Sequence, residues 1–566
     1  MSASSNSSSP KTTSTPPRLA SPVLSSDVKN DGRLPVTILS GFLGSGKTTL
    51  LEYILKDKNH GLKIAVIVND MGAVNIDASL VSSVVQKKET IVSMENGCIC
   101  CTLRGDLLEE VAKLAEQKQF DYLVIESTGI SEPQQVAETV CLASRCFSSG
   151  QVTEITLEQF APEFADMHLQ AAEDLRADAA EKAKQNGQEA SVESESQLKL
   201  ASILADGGLP KIARLDTMVT VVDALNVFNS FNTADFLSDR QAPETIEEED
   251  ERNISDLMVD QLEFADAIII NKCDLVSKQD LQKIKALVKT LNPECTVLTS
   301  VRSKIDLRKI LNTGKFSFEK SMMSAGWLKS LREETRPETE EYGIGSFVYR
   351  ARRPFHPFRL WECIKDRLVV IQDSYEPNED GMEVDEEADA SSENSWESEP
   401  DLEAQPQLDP VARLASKKAS SSFGPLLRSK GFFWLATRPL MSGEWSQAGV
   451  MLTIGGGSRW LCETDETQWP DHPEVRKKMK ADFQGRWGDR RQEIVFIGET
   501  ISVIQPLLTA ELDAALLNDS EWAAWEKVMK SKKSSMEKKV EKLEKMFEDG
   551  FEDWIDEEDH SGHDHA

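Results

Sequence analysis

Cysteine is scarce in this chain, with nine residues in 566. So few thiols exclude a disulfide framework, and a reducing compartment follows as the expectation. No apolar run reaches the ~20 residues a membrane-spanning helix needs, and no secretory core precedes the first strand. Positive charge is short as well. The chain has 64 Lys and Arg against 96 Asp and Glu, for a formal net charge of −32. That balance excludes nucleic acid and anionic membrane as main partners. The opening "MSASSNSSSPKTTSTPPRLASP" has no amphipathic periodicity and little Arg, so it reads as a disordered arm and not as a transit peptide. A cytoplasmic protein is expected, with mitochondrial import the minor alternative.

What is present is a soluble globular composition, 40% hydrophobic and 28% charged, long enough for two or three domains. "RLPVTILS", "KIAVIVND", "TIVSM", "DYLVIEST", "TMVTVVDA", "FADAIIINKCD" and "CTVLTS" are short apolar runs of the kind that both-face burial requires. Helical patterns alternate with them, which predicts an α/β fold with a doubly wound, mostly parallel sheet over 34–315, after a disordered arm over 1–33. A Glu/Ala/Gln-rich insertion, helical or disordered, is expected over about 147–213. A smaller α+β unit of different style follows over 342–506, starting with "GSFVYRARRPFHPFRLWECI". The acidic stretch over about 373–425 inside it is expected to be disordered. Residues 507–548 read as a helical tail and 549–566 as an acidic end carrying histidines.

Gly41 through Thr48 fits G-x-x-x-x-G-K-[ST] between a strand and a helix. Gly41, Gly44, Ser45, Gly46 and Thr49 would frame the phosphates with backbone N–H groups. Lys47 would reach the β/γ-phosphates, and the Thr48 hydroxyl would ligate Mg²⁺. Glu126 ends the "VIEST" strand, where a carboxylate can hold Mg²⁺ through water, and Gly129 can approach the γ-phosphate. Asn271, Lys272 and Asp274 form an N-K-x-D loop after another buried strand. The Asp carboxylate accepts two hydrogen bonds, matching guanine's N1–H and amine, so GTP is expected over ATP. Ser300 would support the base from the next loop. The chain lacks an obvious arginine finger and a water-orienting glutamine, so hydrolysis without a client is expected to be slow.

In "SMENGCICCTLRGDL", Cys98, Cys100 and Cys101 crowd into four residues. Three thiolates can converge on one soft or borderline ion if the backbone curls, and Gly97 permits that. They leave the fourth position of a tetrahedral site open, as suits a carrier more than a closed structural zinc site. A redox pair of Cys100 and Cys101 is the alternative. His560, His563 and His565 are further candidate ligands among the acids of the tail. Cys141, Cys146, Cys273, Cys295, Cys363 and Cys462 read as buried thiols, and His356 as a packed side chain.

"PVTILSGFLGSGKTTLLEYIL", "ENGCICCTLRGDL" and "DYLVIESTGISEP" resemble the CobW-type GTPases, relatives of the hydrogenase and urease nickel-insertion GTPases. The resemblance covers about 34–312 outside the insertion and resumes from "YGIGSFVYRARRPFHPFRLW" to "IVFIG", which is similar to the family's C-terminal domain. It implies a P-loop GTPase metallochaperone that binds Zn²⁺ or Co²⁺ at the C-x-C-C loop, cycles between GTP and GDP with Mg²⁺, and passes metal to a client metalloprotein. The rival readings are a non-enzymatic metal buffer or scaffold and a thiol redox sensor. Family members carry two glutamates in an NEFGE-like stretch, whereas this chain has Asn69-Asp70-Met71-Gly72-Ala73, which leaves Asp70 as the auxiliary candidate ligand. A Cys-Pro-Glu-Leu-type docking motif is also missing, so neither the client nor the oligomeric state is specified.

Overall fold

A computed structural model describes residues 31–69, 90–94, 104–127, 129, 133–134, 136–137, 212–236, 253–317, 343–372, 409–467, 469 and 473–554. Nearly all of the arm, Asp70, Cys98, Cys100, Cys101, nearly all of the first insertion, most of the acidic stretch and His560, His563 and His565 lie outside these residues.

The first sheet has strands β1 (Leu34–Ser40), β2 (Ile64–Asn69), β3 (Thr90–Met94), β4 (Tyr122–Glu126), β5 (Ala213–Asp223), β6 (Ala267–Asn271) and β7 (Thr296–Thr299). Their order is β3-β2-β4-β1-β5-β6-β7, and every neighbouring pair is parallel. The apolar runs explain this: Val36 and Ile38 of β1 bury one way, Leu39 the other, and all three are essentially inaccessible. Helix α1 (Lys47–Lys56) covers one face through Leu50, Leu51 and Ile54. Helix α2 (Arg104–Gln117) covers the opposite face through Leu107, Val111 and Leu114. Strand β1 lies between β4 and β5, where the chain's direction of travel across the sheet reverses. In open parallel sheets, ligands bind at such a reversal, beyond the strands' carboxyl ends. Helices α3 (Val227–Phe231), α4 (Ile254–Glu263) and α5 (Lys278–Leu291) complete this layer.

The second sheet contains β8 (Ile344–Ala351), β9 (Val369–Gln372), β10 (Leu426–Phe433), β11 (Met441–Ala448), β12 (Met451–Arg459) and β13 (Gln492–Glu499). Its order is β8-β13-β10-β11-β12-β9, antiparallel except for the β12–β9 pair. Alternation along β13 divides its side chains. Val495 and Ile497 share a core with Leu262 of α4 and Leu287 of α5, which joins the two sheets. Ile494 and Phe496 face the other way, onto helices α6 (Pro357–Ile364) and α9 (Ile501–Ala515).

The chain departs from its sequence-based reading at two places. Helix α7 (Pro410–Ala419) lies within the stretch expected to be disordered; Asp409 caps it and Pro410 takes its first position, a start signal the acidic composition obscured. The helical tail expected over 507–548 is three helices: α9, which runs through residue 506, α10 (Asp519–Met529) and α11 (Met536–Glu544), following α8 (Pro473–Ala481). Asn518 breaks the pattern by forming a reciprocal capping box with Glu521. Helices α10 and α11 close over Trp434 and Trp460 through Trp525 and Leu543, so they belong to the second unit's core. Among the described residues, no helix is long and apolar enough to cross a membrane.

Candidate nucleotide site

The loop after β1 is glycine-rich because two of its positions leave no room for a side chain. At Gly41 (φ 130°) a Cβ would lie 2.2 Å from the Val221 carbonyl oxygen, and at Gly46 (φ 109°) one would lie 2.4 Å from Asn271 Nδ2. The loop thus bends against β5 and β6 and delivers Lys47 to the first position of α1. Lys47 is buried, and its ammonium donates to the carbonyls of Gly41 at 2.5 Å and Phe42 at 3.3 Å, drawing the loop around itself. Gly44, Thr48 and Thr49 are exposed at the mouth, whereas the Ser45 hydroxyl is buried without a protein partner.

Strand β4 brings Glu126 to the same edge. The Thr48 hydroxyl donates to Glu126 Oε1 at 3.0 Å, joining residues 78 apart in sequence. Ser127 follows, buried, with its hydroxyl on the Leu39 carbonyl at 3.2 Å. Gly129 passes so close to the loop tip that a Cβ there would be 2.8 Å from the Leu43 nitrogen. Its carbonyl accepts from Gln261 Nε2 of α4 at 3.3 Å.

The three residues of the N-K-x-D loop separate into different tasks. Asn271 is buried, and its Nδ2 donates to the Ser45 carbonyl at 2.9 Å and to Ser303 Oγ at 3.1 Å. Its Oδ1 accepts from Ser300 Oγ and from the Ser303 N–H, both at 2.9 Å. All four hydrogen-bonding positions of the amide are taken, so Asn271 ties the phosphate loop to the loop after β7. Ser303 adds a 2.9 Å bond to the Gly46 carbonyl. Lys272 adopts a left-handed backbone (φ 59°) and pairs with Asp223 at 2.8 Å. Asp274 is exposed in the single turn Cys273–Leu275. The loops after β5, β6 and β7 also expose Leu225, Leu275 and Val301, apolar surface of the kind a flat base can cover.

Lys47, Thr48, Glu126, Gly129, Asn271, Lys272 and Asp274 therefore lie at one carboxyl edge of the sheet, on strand ends, the loops after them and the start of α1. Sequence reasoning missed Asp223, Gln261 and Ser303. The acid ending "TVVD" resembles the one ending "VIE" and gave a signal; a glutamine on a helix and a serine past a short strand gave none. Of the other singled-out side chains, only Cys295 among the four described cysteines is fully buried, and all four are free thiols. His356 is half-buried edge-on to Phe547, and burial holds its pKa below the usual imidazole value. Among the described residues, no group of three or more His, Cys, Asp or Glu could hold a metal ion.

A seven-stranded parallel sheet with this phosphate loop, a strand-end acid paired to its threonine and an N-K-x-D loop defines a P-loop GTPase. The family model described as "CobW/HypB/UreG, nucleotide-binding domain" matches residues 35–205 and 196–299, and "Cobalamin synthesis protein cobW C-terminal domain" matches residues 402–516. The chain belongs to the CobW/HypB/UreG family. It is 38% identical over 515 residues to the zinc-regulated GTPase metalloprotein activator 1 of Dictyostelium discoideum, covering 88% of this chain and 84% of that one. It is 34% identical over 167 residues to the zinc chaperone YjiA of Escherichia coli, covering 26% of this chain and 51% of that one. The Zn(II)-bound YjiA GTPase structure aligns over 86% of this chain and 99% of its own, with 18% identity and a TM-score of 0.30.

Proposed function

We propose that this protein is a GTP-hydrolysing metallochaperone that holds Zn²⁺ or Co²⁺ on Cys98, Cys100 and Cys101 and delivers it to a client metalloprotein. The observation that carries the nucleotide half is the 3.0 Å contact between the Thr48 hydroxyl and Glu126, beside a buried Lys47. Two oxygen donors at the end of a glycine cradle suit a hard divalent cation, and the space over Gly41 and Gly46 cannot accept a Cβ. Thr48 and Glu126 would hold Mg²⁺, which supplies charge neutralisation for the phosphates when bound. Lys47 stabilises charge on the transferred phosphoryl group, Gly129 reports its presence through its close approach to Leu43 at the tip of the phosphate loop, and Asp274 selects guanine.

The metal half is supported by chain topology and by relatives named as zinc chaperones and metalloprotein activators. Strand β3 ends at Met94, four residues before Cys98 in sequence, at the same carboxyl edge as the phosphate loop. Three thiolates with an open fourth position allow metal to be exchanged with a client, a step a closed four-ligand site resists. Helix α4 offers a route from nucleotide to the second unit. Gln261 touches Gly129, while Asp256 and Glu263 on the same helix face the buried Arg428 of β10.

The test is a Co²⁺ titration in the GTP-bound and GDP-bound states, with residues after Asp559 removed to exclude His560, His563 and His565. Metal affinity should differ between the states, and nucleotide affinity should change by the same factor on metal binding. Identical affinities would remove the coupling, and cobalt binding that survives Ser at all three cysteines would remove the site.

A further inference from the structure

A slot crosses three neighbouring strands of the second sheet, and its occupant is the chain itself. Phe433 on β10, Gly443 on β11 and Gly456 on β12 are successive register partners, so they form a row. Glycine in a strand interior forfeits side-chain packing and marks a place where another group comes close to the backbone. Here the group is the Trp554 indole. A Cβ at Gly443 would lie 2.5 Å from its ring, and one at Gly456 would lie 2.8 Å from the Trp554 Cβ. Phe433 meets the indole edge-on with 5.7 Å between centroids, and the Arg438 guanidinium lies 4.9 Å from its centroid.

Arg438 grips the rest of the segment. One of its nitrogens pairs with Asp549, whose carboxylate also accepts from the Thr437 hydroxyl. The other donates to the carbonyls of Phe551 at 3.0 Å and Glu552 at 2.8 Å. The Glu552 N–H donates to Gln372 at 2.9 Å. Phe551 is buried beneath, whereas Glu552 and Asp553 face solvent and Trp554 is half-buried. An aromatic in a slot, a carboxylate on a guanidinium and backbone carbonyls on fixed donors are the contacts of a bound peptide. The segment pairs with no strand of the sheet it lies on.

We propose that this slot is a binding site for a short acidic segment carrying an aromatic residue, occupied in cis by Asp549–Trp554 and opened by exchange to a partner protein with the same chemistry. Charge argues for that class. A chain of net charge −32 repels acidic peptides except where a guanidinium is offered, and Arg438 offers one over an aromatic floor. The slot lies on the face shared with α6 and α9, opposite the one packed on α4 and α5, so exchange leaves the junction of the two sheets intact. The proposal is independent of nucleotide and metal, and its test uses neither.

The probe is a fluorescein-labelled peptide spanning Asp549–Asp559. In the full chain, Trp554→Ala empties the slot of its indole and leaves Phe551 in the core. A tethered occupant competes at an effective concentration of about 1 mM, so the peptide should bind the variant at least about tenfold more tightly than the intact protein. Adding Arg438→Ala to that variant, or Trp554→Ala to the peptide, should abolish binding. Equal binding to intact protein and variant, or no binding to a variant with native circular dichroism, overturns the proposal. A second measurement needs no variant. Excess unlabelled peptide should speed proteolytic cleavage just beyond Trp554 in the intact protein several-fold, and the Trp554→Ala peptide should not. An unchanged rate at several times that effective concentration overturns it equally.

Discussion

Asp256→Asn probes the buried junction between the two sheets. Asp256, in the first turn of α4, lies 3.8 Å from the Arg428 guanidinium, and Glu263, at the end of the helix, lies 3.5 Å from it. Arg428 spends its hydrogen bonds elsewhere, on Ser446 Oγ at 3.0 Å and the Gln447 carbonyl at 3.3 Å. Two carboxylates thus share one guanidinium at distances longer than a charge-assisted hydrogen bond. Burial wins at Asp256, pushing its pKa up to about 7 from 3.8; Arg428 opposes the rise, Asp260 adds to it, and Asn253 and Lys430 oppose it. Burial pushes Glu263 up too, against the same arginine. Because the folded pKa exceeds the unfolded one, the folded state holds the proton more tightly. This contribution to stability is complete below about pH 4, is lost as pH rises, and is gone above about pH 7. Between about pH 5 and pH 8 it integrates to roughly 2–3 kcal/mol. Asparagine keeps an acceptor for the Asn253 amide and removes the ionisation. Relative to the parent, the variant should therefore gain roughly 2–3 kcal/mol between those two pH values. Urea unfolding followed by tryptophan fluorescence, with both proteins at both pH values, isolates this term as a difference of differences. Parallel pH profiles for the two proteins would refute the reasoning.

Lys47→Ala should abolish GTP turnover while leaving the thermal midpoint within a few degrees, since the ammonium donates to the carbonyls of Gly41 and Phe42 in its own loop; turnover that persists would belong to a contaminant. Asp274→Asn, at an exposed position, should leave folding unchanged and cut the preference for GTP over ATP by roughly ten- to a hundredfold, the size of one charge-assisted bond. Competition binding with both nucleotides measures this, and an unaltered ratio would remove the base assignment. Ser at Cys98, Cys100 and Cys101 should eliminate the thiolate charge-transfer absorption of Co²⁺-loaded protein, because hydroxyls barely ionise at neutral pH.

The parallel sheet was legible because its central strands are buried on both faces and so announce themselves as unbroken apolar runs, "AVIV" and "AIIIN" among them. The phosphate loop was legible because its geometry tolerates so few residue types: a Cβ at Gly41 or Gly46 would strike Val221 or Asn271. Asn271 shows where such reading runs out. Its motif assigns it to the nucleotide, yet its amide is fully engaged by Ser45, Ser300 and Ser303. No local pattern foretells a partner about thirty residues away. The same holds for Gln261, whose contact with Gly129 crosses 132 positions. In the second unit, composition misled: charge-rich helices α10 and α11 read as a tail, but Trp525 and Leu543 bury into it at sparse spacing.

Helix α4 explains how two separately recognisable units become one machine. Its Asn253 cap and its apolar stripe of Met258, Val259 and Leu262 fix it against the first sheet and against Ile497 of the second. That leaves several of its polar groups little solvent to face. Gln261 turns to Gly129, and Asp256 and Glu263 turn to Arg428. If Gly129 moves with the γ-phosphate, Gln261 must shift, the contacts at Arg428 must stretch, or both, because a packed helix moves as a rigid body and not by bending. Arg428→Met separates the alternatives. If the junction transmits nucleotide state, this variant should keep GTP hydrolysis while the metal affinities of the GTP and GDP forms converge. If α4 merely joins two cores, the variant should lose stability, by about 3–5 kcal/mol for a stranded buried charge less what protonation of Asp256 recovers, with the difference in metal affinity intact.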